Sequence, residues 1–310
     1  MKVTRLLPPL LLILASAGLA PAIWATDKLT SPRLTPDQWQ ATDQLDHPLL
    51  GSIWSLPTGG ISAADLLDSL PRGGWLLLGE QHDHPDHHRI QVTLLKTLAQ
   101  QGRLGAVAFE MLNTEQQPLL DQWLGRGDEV TPEDLDWNPG WPWERYEQQV
   151  RSALNLAERV VAADLPRALQ RKAYTEGAPA GALDAAHSEF MKELLFTSHC
   201  GKLPREHLGQ MLQVQLARDQ QMTDALAQHV YPQRTGVLIT GAVHARQAIG
   251  VPRWIEPELP HLSLLLSSLD HKTDASAYLP NSLELDVSER EFLLFTAALP
   301  EQDHCADISP

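Results

Sequence analysis

Along the chain, short unbroken apolar runs closed by glycine or an acidic residue alternate with stretches where apolar positions recur every three or four residues. The run Trp75–Gly79 (WLLLG) has the form of a buried parallel strand. Ile90, Leu94, Leu95 and Leu98 then give a helical spacing over Arg89–Ala99. Gly105–Phe109 predicts a second strand running straight into Glu110, and a helix follows from Thr114 to Leu124. Gly125–Trp143, rich in Gly, Pro, Asp and Trp, reads as an irregular insertion of short helical turns. A helix over Trp143–Arg159 leads to a third strand, Val160–Ala163, and Pro166 opens the next helix, since proline is tolerated in a first turn. The Gly/Ala/Pro-rich residues 175–184 read as a connection, and Pro204–His229 as a long helix. Strands are expected at Gly236–Thr240 and His261–Ser267, with two more within Ser282–Leu299. This order predicts an α/β fold: a mostly parallel central sheet flanked by helices, with its core starting near Trp75 and a helical lid or insertion around 112–230.

The ends of the chain change the picture. Lys2 and Arg5 precede an apolar stretch, Leu6–Leu14, and small residues up to Ala25, the pattern of an export signal occupying residues 1–25. An uncleaved anchor is the competing reading, but Pro8, Pro9 and Pro21 make a poor membrane helix. Residues 26–50 then form a polar, extended lead-in, and 51–310 a single α/β domain. The expected location is periplasmic or cell envelope, without lipoprotein anchoring because no lipobox cysteine follows the apolar stretch. Only Cys200 and Cys305 are present; they either pair or remain free thiols. The formal charge of −15 argues against a general nucleic-acid binder, which needs a basic face for phosphates.

Polar groups follow three of the apolar runs: Glu80 and His82, then Glu110, then His244 after GVLITGAV. Open α/β sheets bind ligands outside the carboxyl ends of their strands, so these four are expected to share one wet hollow. Two carboxylates and two imidazoles suit a divalent metal or acid–base work with shifted pKa values. The plainer alternative has the glutamates capping helices and the histidines in exposed loops. His82–His87 also spells HxHxDH, the zinc-ligand pattern of metallo-β-lactamase-like hydrolases. Later ligands for such a site are not assignable, so Pro85–His88 is read as a first helical turn with His87 and His88 partly solvated.

Several blocks together resemble the ChaN-like haem-binding uptake proteins of the superfamily that contains TIKI proteases and erythromycin esterases. They are GEQHDHPDHH from Gly79, FEM at Phe109–Met111, Gln117, WPWERY at Trp141–Tyr146, AADLPR at Ala162–Arg167, QLARDQQMTDAL at Gln215–Leu226, and GAVHAR at Gly241–Arg246 followed by GVP. Asp164 departs from the pattern, where asparagine fits better, and so does the missing lipobox cysteine. The resemblance implies an α/β core with a helical lid and binding of haem or iron in the envelope, with envelope haem-uptake components as partners. Tyr146 is then the expected haem-iron ligand, a hard anionic donor, with Trp141 and Trp143 covering the porphyrin and Arg167 receiving a propionate. A homodimer is expected too, since a second subunit commonly covers a flat haem face. Arg218 and Asp219 are read either as part of this site or as a solvated pair. The alternative function is a metal-dependent hydrolase, esterase or peptidase in type, in which Glu80, His82, Glu110 and His244 are the catalytic residues and metal ligands.

Overall fold

The computed structural model describes residues 33–55, 58–179, 182–278 and 289–301, all within one compact unit. The segment read as an export signal and Cys305 lie outside them. Among the described residues eight strands form one sheet: β1 (Ile53–Ser55), β2 (Gly59–Ile61), β3 (Gly74–Glu80), β4 (Leu104–Asn113), β5 (Arg159–Asp164), β6 (Thr235–Gly241), β7 (His261–Ser268) and β8 (Glu291–Thr296). Their order is β2-β1-β8-β7-β3-β6-β4-β5. The six strands from β8 to β5 are parallel, and β1 and β2 add an antiparallel ribbon at the β8 edge. A strand covered on both faces must be apolar on both, and every residue of β3, β6 and β8 is buried.

Alternation along the strands sorts the core into two layers. Leu76, Leu78, Val107, Phe109, Val237 and Ile239 pack beneath α2 (Pro85–Gln100) and α4 (Trp143–Leu156). Trp75, Leu77, Ala106, Ala108 and Leu238 face the opposite way, against Met222, Ala225 and Leu226 of α7 (Leu208–Gln228). Between β4 and β6 the chain also forms α3 (Gln117–Trp123), α5 (Arg167–Glu176) and α6 (Ala185–Ser198), and Gly125–Trp143 is indeed a run of short turns. The short α8 (Ala242–Ala245) follows β6 directly.

Three expectations are corrected. The core begins well before Trp75: Leu34, Ile53, Leu66 and Leu67 are buried, the last two on α1 (Ala63–Ser69), whose Ser62–Asp65 capping box closes its first turn. Part of the lead-in is also fixed, because the buried Asp86 carboxylate accepts from the Gln40 and Ala41 amides. His87 and His88 do sit in the first turn of α2, but both are buried rather than partly solvated. Of the two strands expected in Ser282–Leu299, β8 is present, and 282–288 lie outside the described residues.

Candidate functional site

The carboxyl ends of β3, β6 and β4 lie side by side, and on this edge the alternation of side chains has an unusual consequence. Glu80 continues the Leu76–Leu78 series and points toward α2, whereas Glu110 continues Ala106–Ala108 and points toward α7. The two carboxylates therefore leave the sheet on opposite faces. What lies between them is the end of β6, which stops at Gly241. A Cβ built there would stand 2.8 Å from His82 Nε2 and 3.6 Å from Glu110 Oε2, so the missing side chain is what lets the two halves meet.

On the α2 side Glu80 accepts from Tyr146 Oη (3.0 Å), Gln91 Nε2 (2.5 Å) and His82 Nδ1 (2.9 Å). His88 Nε2 stands 3.3 Å from its other oxygen without the alignment of a hydrogen bond. Burial would raise the Glu80 pKa, but His82 and His88 more than offset it and the net shift is downward. Burial likewise pulls His82 down, and Glu80 and Glu110 reverse this, so its imidazolium persists above the usual histidine range.

On the α7 side one guanidinium organises the charges. Arg218 donates to Glu110 (2.8 Å) and through two nitrogens to Asp164 (2.8 and 3.0 Å), a bidentate fork of the kind planar guanidinium favours. Glu110 also accepts from Thr240 Oγ1 and the Gly241 amide, each at 2.7 Å. Burial opposes its ionisation, yet His244, Arg218 and His82 hold its pKa far below the carboxylate range. His244 Nδ1 donates to Asp219 at 2.6 Å, which leaves Nε2 3.5 Å from Glu110 and 3.4 Å from Arg218. Burial depresses His244, while Glu110 and Asp219 raise it further than burial lowers it. Asp164 and Asp219 are shifted upward because burial outweighs their partners.

Glu80, His82, Glu110 and His244 thus come together at one edge, but not in a wet hollow: only His82 is substantially open, with 37% of its side chain exposed. Neither glutamate caps a helix. These four are also the residues expected to hold a metal. Among the described residues no group of three or more His, Cys, Asp or Glu is arranged to hold an ion. The reason is that Arg218, Thr240 and Gly241 already occupy the Glu110 oxygens, while Tyr146 and Gln91 occupy those of Glu80.

Beside this constellation lies a cleft of about 580 Å³, whose walls include Trp137, Trp141, Met111 and Leu165, with Arg218 and Asp164 inside and Arg167 at its mouth. Trp143 lies just outside, edge-on to Trp137 with ring centroids 5.0 Å apart. Tyr146 is fully buried, and burial together with the charge of Glu80 pushes its phenol strongly upward. It faces the inside of the constellation rather than the cleft, which does not fit the expected role of an anionic iron ligand. Arg218 and Asp219 prove to be members of the site, Asp219 buried and Arg218 mostly so, not a solvated pair. Gln91 and Gln149 escaped the sequence reading: they are polar residues in apolar helical spacing, which periodicity alone reads as surface.

A protein-family model described as "Haem-binding uptake, Tiki superfamily, ChaN" matches residues 66–255. Among solved structures, ChaN of Campylobacter jejuni with cofacially bound haem has 24% sequence identity and a TM-score of 0.63, covering 78% of this chain and 95% of that one. A mutant of the erythromycin esterase EreC in its open conformation has 12% identity and a TM-score of 0.39, covering 70% and 77%. The RRSP effector domain of a Vibrio vulnificus toxin has 16% identity and a TM-score of 0.35, covering 78% and 39%. No curated protein matches.

Proposed function

The chain belongs to the haem-binding uptake family of the Tiki superfamily that includes ChaN, and we propose that it is an exported carrier of haem, serving haem or iron uptake in the cell envelope. The observation that carries this reading is the cleft beside the constellation. Haem is a flat apolar ring with two carboxylates on one edge. Trp141, backed by Trp137, Met111 and Leu165, offers the ring an apolar patch in a cleft otherwise lined by polar side chains, and Arg167, exposed at the start of α5, suits a propionate. The iron is cargo in this reading and needs an accessible donor. His82 supplies one once its ring gives up a proton: it is partly open and lies 4.8 Å from the ring of Trp141.

Absorbance titration of the purified chain with hemin tests the reading. Saturable binding with a shifted Soret band is expected, weakened by Trp141→Ala and Arg167→Ala. His82→Ala should move the band, and Tyr146→Phe should leave its position unchanged. A spectrum indistinguishable from that of free hemin ends the proposal. Sedimentation of the hemin-loaded chain tests the homodimer, and fractionation of cells making the full chain tests export: an intact leader in the cytosol counts against it.

A second reading rests on the contact between His244 and Asp219. A carboxylate on Nδ1 fixes the imidazole tautomer and leaves Nε2 to exchange protons, the arrangement used by hydrolytic general bases. The residues do not fit a resident metal, so hydrolysis here would rely on side-chain acid–base chemistry. Turnover of an ester or peptide substrate that falls roughly 100-fold or more on His244→Ala would sustain it; an inert chain removes it.

A further inference from the structure

Adjoining the cleft, the turns that lead into α4 shape a second cavity of about 700 Å³. Three indoles line it, Trp137, Trp141 and Trp143, together with Pro132, Pro139 and Pro142. Trp137 and Trp143 stand at 76° to each other, a corner that presents two ring faces to one occupant. Trp137 Nε1 donates to the Trp141 carbonyl at 2.6 Å, which ties the third indole to the first. These walls offer π surface and C–H surface rather than hydrogen bonds. The backbone carbonyls of Pro132, Glu133, Asp136, Trp141 and Pro142 already accept from neighbouring donors.

The charged groups of the lining are the exposed carboxylates of Glu133, Asp136 and Glu144. Among the described residues none of the three forms an ion pair, and no lysine or arginine stands beside them in the lining. Arg167 borders the haem cleft together with Asp136, and Arg145 borders a hollow between α2 and α4 together with Glu144. Setting both cations against those neighbours still leaves Glu133 uncompensated, in a chain of formal charge −15. Indole faces attract cations through the ring quadrupole, most strongly where water is displaced. A primary ammonium or a guanidinium would give up its hydration here without finding acceptors for its N–H groups. A quaternary ammonium has no N–H to satisfy.

We propose that this cavity is a binding site for small soluble quaternary ammonium monocations, choline in type. The methyl groups lie against the three indoles, and the carboxylates supply the long-range attraction. An anionic group on the ligand meets those same carboxylates, so a zwitterion such as glycine betaine or phosphocholine is disfavoured. The site goes beyond the haem reading and does not rest on it: Trp137 and Trp141 are walls of both cavities, but Trp143, Glu133 and Glu144 border this one and not the haem cleft.

Calorimetric titration of the hemin-free chain with choline, together with NMR shifts of the indole N–H groups, tests this. Saturable binding is expected for choline and tetramethylammonium, with weaker binding of methylammonium, glycine betaine and phosphocholine. Trp143→Ala should weaken choline binding roughly tenfold or more. If that variant does not fold, the double change Glu133→Gln with Glu144→Gln, at two exposed positions, carries the test. It should weaken choline binding and flatten its dependence on salt, while the hemin titration stays unaltered. Absence of saturable choline binding, methylammonium or glycine betaine binding as tightly as choline, choline binding that survives the substitutions, or a hemin titration that falls with the double change overturns the proposal.

Discussion

Of the side chains at the sheet's carboxyl edge, Arg218 is the one on which the others most depend. It neutralises two carboxylates that have little access to water, and it does so through a fork that lysine lacks. Its replacement by methionine leaves Asp164 buried without a counter-ion and Glu110 with the histidines alone, and a loss of about 3–5 kcal/mol is expected in chemical denaturation. Glu110→Gln in the same background should recover part of that loss, because one buried charge goes with it. Histidines set the pH response at this scale. His84 and His87 are stacked 3.9 Å apart, and each accepts a backbone amide at Nδ1, from Asp86 and Gln81 respectively. Nε2 of each then carries the proton, donated to the Ala297 carbonyl and to Thr296 Oγ1. A second proton has no place to go, so burial holds both below the ordinary histidine value. The unfolded chain takes up those protons near pH ~6.5. Their stabilisation is complete above that pH and is lost as pH falls below it, by about 1.4 kcal/mol per pH unit for each group. His82 and His244 are shifted the other way, so their contribution is present below pH ~6.5 and fades as pH rises through their folded values. Urea midpoints measured from pH 5 to 9 should therefore peak near pH ~6.5, and His87→Gln should flatten the acid limb alone.

Among the elements, β6 decides whether the two halves of the constellation meet. Its last residue carries no side chain, and Gly241→Ala would place a methyl group against the His82 ring. The expected outcome is a displaced His82 with a lowered titration midpoint in NMR, together with a modest stability loss of ~1–3 kcal/mol from overpacking. An unchanged His82 titration would show that the ring does not depend on this gap. Strands and helices that bury a face were legible from apolar spacing: β3 to β8 and the helices α2, α4, α5 and α7 fall where the pattern places them, to within a few residues. The elements that the reading did not place are mostly short, except α6, whose 14 residues follow the Gly/Ala/Pro-rich connection. β1 and β2 have three residues each, too few to show alternation. α1 and α6 announce themselves mainly by caps, the Ser62–Asp65 box and Asp184 accepting from the His187 amide.

At the scale of the whole molecule, stability should be graded outward from the middle of the sheet. β3 lies between β6 and β7, covered by α2 on one face and by α7 and α8 on the other, whereas α6 packs into a separate cluster with α7 around Met191, Leu195 and Leu212. Hydrogen exchange should accordingly be slowest in β3, β6 and β4, and fastest in α6 and the β1–β2 ribbon. Comparable protection in α6 and β3 would contradict this gradient. The sequence by itself determined the alternation of strands and helices, the parallel sheet, the strand-end positions of Glu80, Glu110 and His244, and the motifs that mark the family. Those are properties of local spacing, which three- or four-residue periods and strand ends express directly. Only the tertiary structure decided that Glu80 and Glu110 leave opposite faces, that Arg218 joins Glu110 to Asp164, and that Tyr146 points inward. Each of these depends on which strand lies beside which: β6, late in the chain, inserts between β3 and β4, and no spacing along the sequence encodes that neighbour.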